Sequence, residues 1–514
     1  MSGRPSTTAV DETQPLLRSV TDEGQHVYSH APIQGVIADT TIIDFDPRGD
    51  PENPLEWKAS FKWTIVTMLA MMAMTVTFTC ISVVPLASDI VRDLTGSPDP
   101  PKSYSVLLVT IWELGEAAGP LLIAPLSEML GRYPVMNGAN LLFVLGALLA
   151  ATSASVPRLV AARTLTGLAV AVNVLNPAVV GDIFVRDQRG RPLSLIYLAP
   201  LIGGAAGPMI GSAVAQALGW RTVLWMSAAL AAACEVLFLT CFRETYKVVI
   251  LARRAKRMEK SSGRRFRTVF DVAEVAAAQE GGNSKAKKLL DAMLRPAIVL
   301  SGSGVLMAMC LFSSVVFTFF YIISTTLSDI LLGVYRLDPV TVGLCYAVIS
   351  VGSTMSVVIC NRYLDRIYVR MRQTHKGVGK PEFRLPLSII GGSLLPIAVA
   401  AYGWSTQLRL PLVCLLFSVC FTGLALMLAM IPVMAYVVDV FGVYSASAMT
   451  SIIVTRCLMG TFLPLSTAPL VNAFGSGWGF SILAGLALIL TPIPVLMLRY
   501  GEHWRKFSKY SREA

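Results

Sequence analysis

The sequence predicts an all-α polytopic membrane protein with twelve transmembrane helices, set as six and six. Three observations predict it: an apolar composition poor in charge, apolar runs of membrane-crossing length, and basic residues gathered on one side of those runs. Of 514 residues, 54% are hydrophobic and 15% charged, and the mean hydropathy is +0.62. Soluble globular chains carry roughly 45–50% apolar and about 25% charged residues. Excess apolar surface and missing charge arrive together here, so lipid is the solvent for most of the surface.

A helix needs about 20 apolar residues to cross roughly 30 Å of hydrocarbon. Runs of that kind lie near 61–86, 104–126, 135–154, 159–182, 192–217 and 221–242, then near 297–323, 340–361, 385–404, 409–438, 446–471 and 478–498. The polar stretch 243–295 separates the two sets, and Ile330-Leu331-Leu332 blurs the break between 323 and 340. The expected organisation is a disordered tail (1–58), a six-helix half (59–242), a basic linker (243–295), a second half (296–499) and a basic tail (500–514). No cleavable signal peptide is expected, because residues 1–58 are polar and the first apolar run starts near Phe61. Within the tail, Glu12 to Leu17 fits an acidic dileucine sorting pattern, a pattern short enough to arise by chance.

Orientation follows from Lys and Arg, which favour cytoplasmic loops. With a cytoplasmic N-terminus, that side holds Arg132, Arg186, Arg189, Arg191, the 243–295 stretch, the 362–384 loop and the C-terminal tail. The opposite side holds only Arg92, Lys102, Arg158, Arg221, Arg336 and Arg409 of the 43 basic residues. An odd span count would put the basic tail outside, so both termini are expected in the cytoplasm. The formal charge of +11 is thus a membrane signature, spread over short loops rather than gathered on a nucleic-acid-binding face. In the linker, Arg253-Arg254-Ala255-Lys256-Arg257 with Lys285, Lys287 and Lys288 reads as a solvated segment, with anionic lipid headgroups the other reading. The nine cysteines all sit in or beside apolar runs, with no Cys-x-x-Cys pair and no histidine cluster, so no metal or redox site is expected.

Ionisable groups inside the spans mark functional positions, because desolvating one costs several kcal/mol unless a partner or wet cavity is present. They are Glu113 and Glu116 in the second span, Arg163 in the fourth, Glu235 in the sixth and Arg456 in the eleventh. Asp182 and Asp439 lie at the ends of the fourth and tenth. Glu113 and Glu116 share a helix face, and two close carboxylates in a low dielectric do not both ionise. One would then hold a proton. The alternatives are that both are hydrated near the outer boundary, or that they pair with Arg163. Arg163 and Arg456 each precede a glycine by one turn (Gly167, Gly460), which suits either a cavity-facing cation or a structural ion pair. In the fifth span Gly203, Gly207 and Gly211 form a smooth stripe for a close helix neighbour, and Pro208 interrupts the backbone ladder.

The turn after the second span, Gly119-Pro120-Leu121-Leu122-Ile123-Ala124-Pro125-Leu126-Ser127-Glu128-Met129-Leu130-Gly131-Arg132, resembles the signature loop of the major facilitator superfamily. Its form is that of fungal twelve-span drug:proton antiporters. Further matches run in order: Asn53-Pro54-Leu55-Glu56-Trp57, Arg163-Thr164-Leu165-Thr166-Gly167, Gly207-Pro208-Met209-Ile210-Gly211, Trp220-Arg221 and Arg243-Glu244-Thr245-Tyr246. The second half adds Asn361 to Arg366, Tyr436-Val437-Val438-Asp439, Tyr444 to Ala448, and Arg456 with Phe462-Leu463-Pro464-Leu465. The resemblance covers about residues 50–510, and the order of its motifs carries it.

The resemblance implies two six-helix bundles around a central cavity that opens to alternate faces. It implies a cytoplasmic gate of Ser127, Glu128, Gly131, Arg132 and Asp182, with Asp365, Arg366 and Asp439 in the second half. The wider superfamily's signature aspartate is replaced by Ser127-Glu128, as is usual in the fungal branch. Glu113 and Glu116 depart from that branch, where apolar residues are commoner. The implied function is proton-coupled export of a small organic compound, a drug or secondary metabolite, by a monomer in the plasma or vacuolar membrane. An organic-acid or polyamine carrier is the second reading, and a membrane sensor the third. No enzyme is expected: there is no catalytic Ser/His/Asp set, no phosphate-cradling Gly-x-x-x-x-Gly-Lys loop and no implied cofactor.

Overall fold

A computed structural model describes residues 41–46, 49–185, 188–262, 266–268, 270, 285–375, 377, 379–508 and 510–511. The dileucine pattern and Arg186 lie outside the described residues. A short strand β1 (Thr41–Ile43) precedes the first span, α1 (Ala59–Ile81), which a 3-10 turn at Val84–Leu86 links to α2 (Ala87–Thr95). The second and third spans are α3 (Lys102–Leu130) and α4 (Arg132–Ala151). The fourth is broken: α5 (Val156–Val170), a 3-10 turn at Ala171–Leu175, then α6 (Asn176–Ile183) with Pro177 in its first turn. Spans five and six are α7 (Gly190–Leu218) and α8 (Trp220–Cys241). After α9 (Lys247–Ser262), strand β2 (Phe266–Thr268) and α10 (Lys285–Ser301), the second half supplies α11 (Gly304–Gly333), α12 (Pro339–Thr374), α13 (Pro386–Gln407), α14 (Leu412–Phe441), α15 (Ser445–Phe462), α16 (Thr467–Leu490) and α17 (Pro492–Arg505).

Among the described residues, eleven helical stretches are long and apolar enough to cross a membrane, and the last, Ser445–Arg505, has 61 residues. At 1.5 Å per residue that is about 90 Å, roughly three membrane thicknesses. It holds two spans, separated by a 3-10 turn at Leu463–Ser466 and by a chain reversal at Gly475, whose φ is +77°. The twelve-span architecture follows.

The seventh span differs from expectation at both ends. It starts at Gly304 rather than near 297, because the Ser303 side chain caps the Leu306 N–H and ends the continuity with α10. It runs on through Ile330-Leu331-Leu332 to Gly333. Part of the segment expected to be a disordered tail is also built: β1 pairs in parallel with β2, and Ile43 and Phe45 pack on Leu251, Ala255 and Phe266. Arg254 reaches Asp50 at 2.5 Å and Arg257 reaches Glu52 at 3.0 Å. Burial alone would raise the Asp50 carboxyl, but the backbone N–H of Glu52 and the Arg254 guanidinium hold it below the usual carboxylate range. Two arginines expected in a solvated linker therefore clasp the chain before the first span.

The two halves repeat one packing scheme. In the first half α1 packs on α7, α3 on α5 and α4 on α8; in the second, α11 packs on α15, α12 on α14 and α13 on α16. Lipid offers no hydrophobic drive between helices, so close backbone approach takes over. At Gly167 an added Cβ would lie 1.8 Å from the Trp112 carbonyl oxygen, and at Gly115 2.2 Å from that of Thr164. The fifth-span stripe meets α1 in the same way, with Gly203, Gly207 and Gly211 against Met74, Phe78 and Ser82. Pro208 is buried inside α7, and its carbonyl faces Gly343 of α12. Across the halves, α3 meets α15 and α7 meets α12.

Gly167→Ala should lower the thermal midpoint of the purified chain sharply, by at least the ~1–3 kcal/mol of an overpacked core. Gly138→Ala, where nothing lies within 4 Å, should leave it unchanged or slightly raised. A melt of both variants in one detergent checks the pair.

Candidate functional site

Two regions gather the polar groups that the spans carry. The first is a cavity of about 320 Å³ between the halves. Its first-half wall includes Thr77, Trp112, Glu113, Glu116 and Asn173, the last on the 3-10 turn that breaks the fourth span. Its second-half wall includes Phe317, Phe320, Tyr321, Tyr346, Ser353 and Arg456. Apolar surface dominates, part of it aromatic, with a few polar groups to orient a ligand, the usual composition of a small-molecule pocket.

Glu113 and Glu116 both reach across the boundary. Tyr321 of α11, 1% exposed, donates its hydroxyl to Glu113 Oε1 at 2.6 Å. Arg456 of α15 stands 3.4 Å from Glu116 Oε1, its guanidinium stacked on the Phe317 ring at 4.2 Å. Glu113 is fully buried and Glu116 half-buried, so neither is hydrated and idle. The alternative pairing with Arg163 is overturned as well. Arg163 is buried and donates to the Cys80 carbonyl of α1 at 3.0 Å, a contact inside the first half. Glu235 sits apart from the cavity, buried beside Asn140.

Between mid-membrane and one face, further bonds join the halves. Thr110 and Thr461 exchange hydroxyl-to-carbonyl hydrogen bonds at 3.1 and 3.5 Å. Ser328 donates to the Pro85 carbonyl at 3.0 Å, Ser88 donates to Asp329 at 3.0 Å, and Lys102 pairs with Asp329. This face, opposite the two chain ends, is closed.

The second region lies on the face that carries the chain ends, where the residues expected to form a gate fall into two separate sets. In the first half Gly131 ends α3 with φ +102°, a conformation open to glycine, and a Cβ there would meet Glu244 Oε2 at 2.2 Å. Glu244 accepts from the Arg132 backbone N–H at 2.8 Å and the Tyr246 N–H at 3.0 Å. The Arg132 side chain then spans Asp182 (3.4 Å), the Ser127 hydroxyl (2.5 Å) and the Tyr246 ring (4.6 Å). Glu128 is exposed and makes no ion pair among the described residues. In the second half Arg384 pairs with Asp439 and, at 3.3 Å, with Asp365, while Arg366 stays exposed. Burial works against the Arg384 charge, but the Asp439 and Asp365 carboxylates outweigh it and raise the guanidinium above its ordinary value. Arg132–Asp182 and Arg384–Asp439 are equivalent pairs in the two repeats.

Tyr321, Glu244 and Arg384 escaped the sequence reading. A tyrosine in an apolar run carries no signal of its own. Glu244 stood inside a noted motif, and the six-plus-six repeat that places Arg384 opposite Arg132 was the available clue for the third.

A cavity between two repeated bundles, closed at one face and lined by both, defines the class: an alternating-access membrane transporter. The major facilitator superfamily model matches residues 63–464, and the chain belongs to that superfamily. The chain is 31% identical over 472 residues to the MFS transporter cpaT of Aspergillus oryzae, covering 92% of this chain and 93% of that one. It is 30% identical over 476 residues to the efflux pump radE of Floropilus chiversii, covering 92% and 86%. Among solved structures it resembles the partially occluded inward-open xylose transporter XylE of E. coli, with a TM-score of 0.63, 16% identity, and 86% and 98% of the two chains covered. The human organic anion transporter MFSD10 shares the fold with a TM-score of 0.56 and 19% identity, over 87% and 100%.

Glu244→Ala, which strips the acceptor from the backbone N–H groups of Arg132, Tyr133, Thr245 and Tyr246, should cost at least about 1–3 kcal/mol. Glu128→Gln should leave the melt unchanged. Thermal unfolding of both in detergent tests whether Glu244, not Glu128, holds this face of the first half.

Proposed function

We propose that this transporter exports a small, largely apolar organic compound in exchange for protons, as a monomer with the chain-end face in the cytoplasm. The basic loops support that orientation, since the face carrying Arg132, Arg384 and the linker is the one the positive-inside rule assigns to the cytoplasm. The relative named as an efflux pump supports the direction. The membrane is the plasma membrane, with the vacuolar membrane as the alternative.

One observation carries the proton reading: two carboxylates of the first half are held by the second half, Glu113 by the Tyr321 hydroxyl and Glu116 by Arg456, the one guanidinium paired across the boundary among the described residues. Two anions against one cation in a desolvated pocket leave a negative charge without a partner. A proton on the pair removes it. Exchange further requires that proton and substrate exclude one another. Substrate entering from the cytoplasm then displaces the proton, and a proton arriving from outside displaces the substrate. The organic-acid reading loses its main support, because Arg456 is already committed to Glu116 and Phe317. A neutral or cationic aromatic compound fits the cavity better.

The test is flux of an aromatic probe panel in proteoliposomes under an imposed pH gradient, with entrapped pyranine reporting protons. Glu113→Gln with Glu116→Gln should reduce gradient-driven accumulation at least tenfold while probe-for-probe exchange persists. In the unmodified protein, gradient-driven flux should fall as the pH of the outer face rises, because the carboxylates then no longer load. Unchanged gradient-driven flux in the double variant would exclude the proton role of this pair.

A further inference from the structure

The Tyr321–Glu113 bond differs from the other contact of the pair in one respect. Arg456 is a charge and acts at a distance, but a hydroxyl acts only within hydrogen-bond reach and only in one direction. Tyr321 lies on α11 of the second half and Glu113 on α3 of the first, so rocking the halves breaks or makes the bond. Its ring has little freedom: Phe317, Phe320 and Trp112 surround it edge-on, with centroids at 5.8, 5.2 and 6.4 Å. Tyr321 supplies the hydroxyl hydrogen bond to this buried carboxylate, beside the weaker thiol donor of Cys457.

From this geometry we infer that Tyr321 is a positioning residue that makes the proton affinity of Glu113 depend on which face is open. The inference rests on the exporter reading above and specifies how its coupling works. A hydroxyl donor favours an ionised carboxylate over a protonated one. With the outer face closed, as here, Tyr321 is engaged and Glu113 releases its proton toward the cytoplasm. When the outer face opens, the donor withdraws and Glu113 takes a proton from outside. The coupling is reciprocal: a proton on Glu113 weakens a bond that exists only in the outer-closed state, and so favours opening.

The other titratable and charged groups around the pair are Cys80 of α1, Arg163 of α5, and Arg456 with Cys457 of α15, beside Glu116 on the same helix as Glu113. Arg163 is turned to the Cys80 carbonyl and Arg456 to Glu116. A thiol is a weak donor. These groups set a background that a Tyr321 variant leaves in place.

Infrared difference spectroscopy of the full chain in nanodiscs, titrated without substrate, follows the protonated-carboxyl stretch. The band lost in Glu113→Gln belongs to Glu113. Tyr321→Phe, which keeps the ring and removes the donor, should move the midpoint of that band to higher pH by about one unit or more, since a hydrogen bond to a charged group is worth about tenfold or more in equilibrium constant. Glu113→Asp, too short to reach the hydroxyl, should show the same alkaline displacement, and serves if Tyr321→Phe does not fold. A position-113 carboxyl band whose midpoint is the same in the unmodified protein and in these variants would overturn the positioning role and leave the exporter reading standing, as would a titration in which Glu113→Gln removes no band but Glu116→Gln does. A titration in which neither Glu113→Gln nor Glu116→Gln removes a band would overturn both.

Discussion

Everything in this protein is arranged around the cost of holding carboxylates inside a membrane. Glu113 and Glu116 sit on one turn of α3, and their nearest compensation, Tyr321 and Arg456, belongs to the other half of the molecule. A charge that finds its partner only across a moving boundary ties its own ionisation to the position of that boundary. The Thr110–Thr461 exchange and the Lys102–Asp329 pair extend the same boundary to the face opposite the chain ends, the outer face of the proposed orientation. Opening that face therefore means parting Glu113 from Tyr321 and Glu116 from Arg456.

The chain-end face is built on the opposite plan. Arg132 with Asp182 and Arg384 with Asp439 each bond within a single half, and each ties the start of one span to the end of the next. These pairs stiffen the halves as bodies without joining them. The halves meet instead where α3 and α15 exchange the Thr110–Thr461 bonds and where Gly343 of α12 lies against Pro208 and Ser212 of α7. The β1–β2 pair and the Arg254–Asp50 bridge add a third element, holding the chain before the first span to the helix after the sixth.

Much of the fold could be read from residue order alone, because membrane thickness sets a length and lipid sets a composition. Twelve spans, the central break and the in-membrane charges follow from those two constraints. The close-packing stripe at Gly203, Gly207 and Gly211 was also visible as local pattern, whereas Ser127, Gly131, Arg132 and Asp182 were tied to a gate only through the family resemblance. Partner choice was not. Whether Glu116 meets Arg163 or Arg456 depends on how α3, α5 and α15 face one another, and spacing within one helix carries no information about that. Tyr321 was hidden for the same reason, one tyrosine among the apolar residues of α11, given meaning only by Glu113 opposite. The structured stretch from Thr41 to Trp57 was missed because its polar composition is that of a tail, and its order comes from α9 and β2, more than 200 positions away.

The most direct test of this account is the distance across the outer face as a function of pH. Spin labels introduced through unnatural amino acids at Asp99 and Leu408, exposed positions on opposite halves, would report it by double electron–electron resonance in nanodiscs. Acidification should shift the unmodified protein from a single short distance to a population of longer ones, and Glu113→Gln with Glu116→Gln should hold the longer population at every pH. A distance distribution in the unmodified protein that stays the same from alkaline to acid pH would contradict the claim that these two carboxylates govern the opening of the outer face.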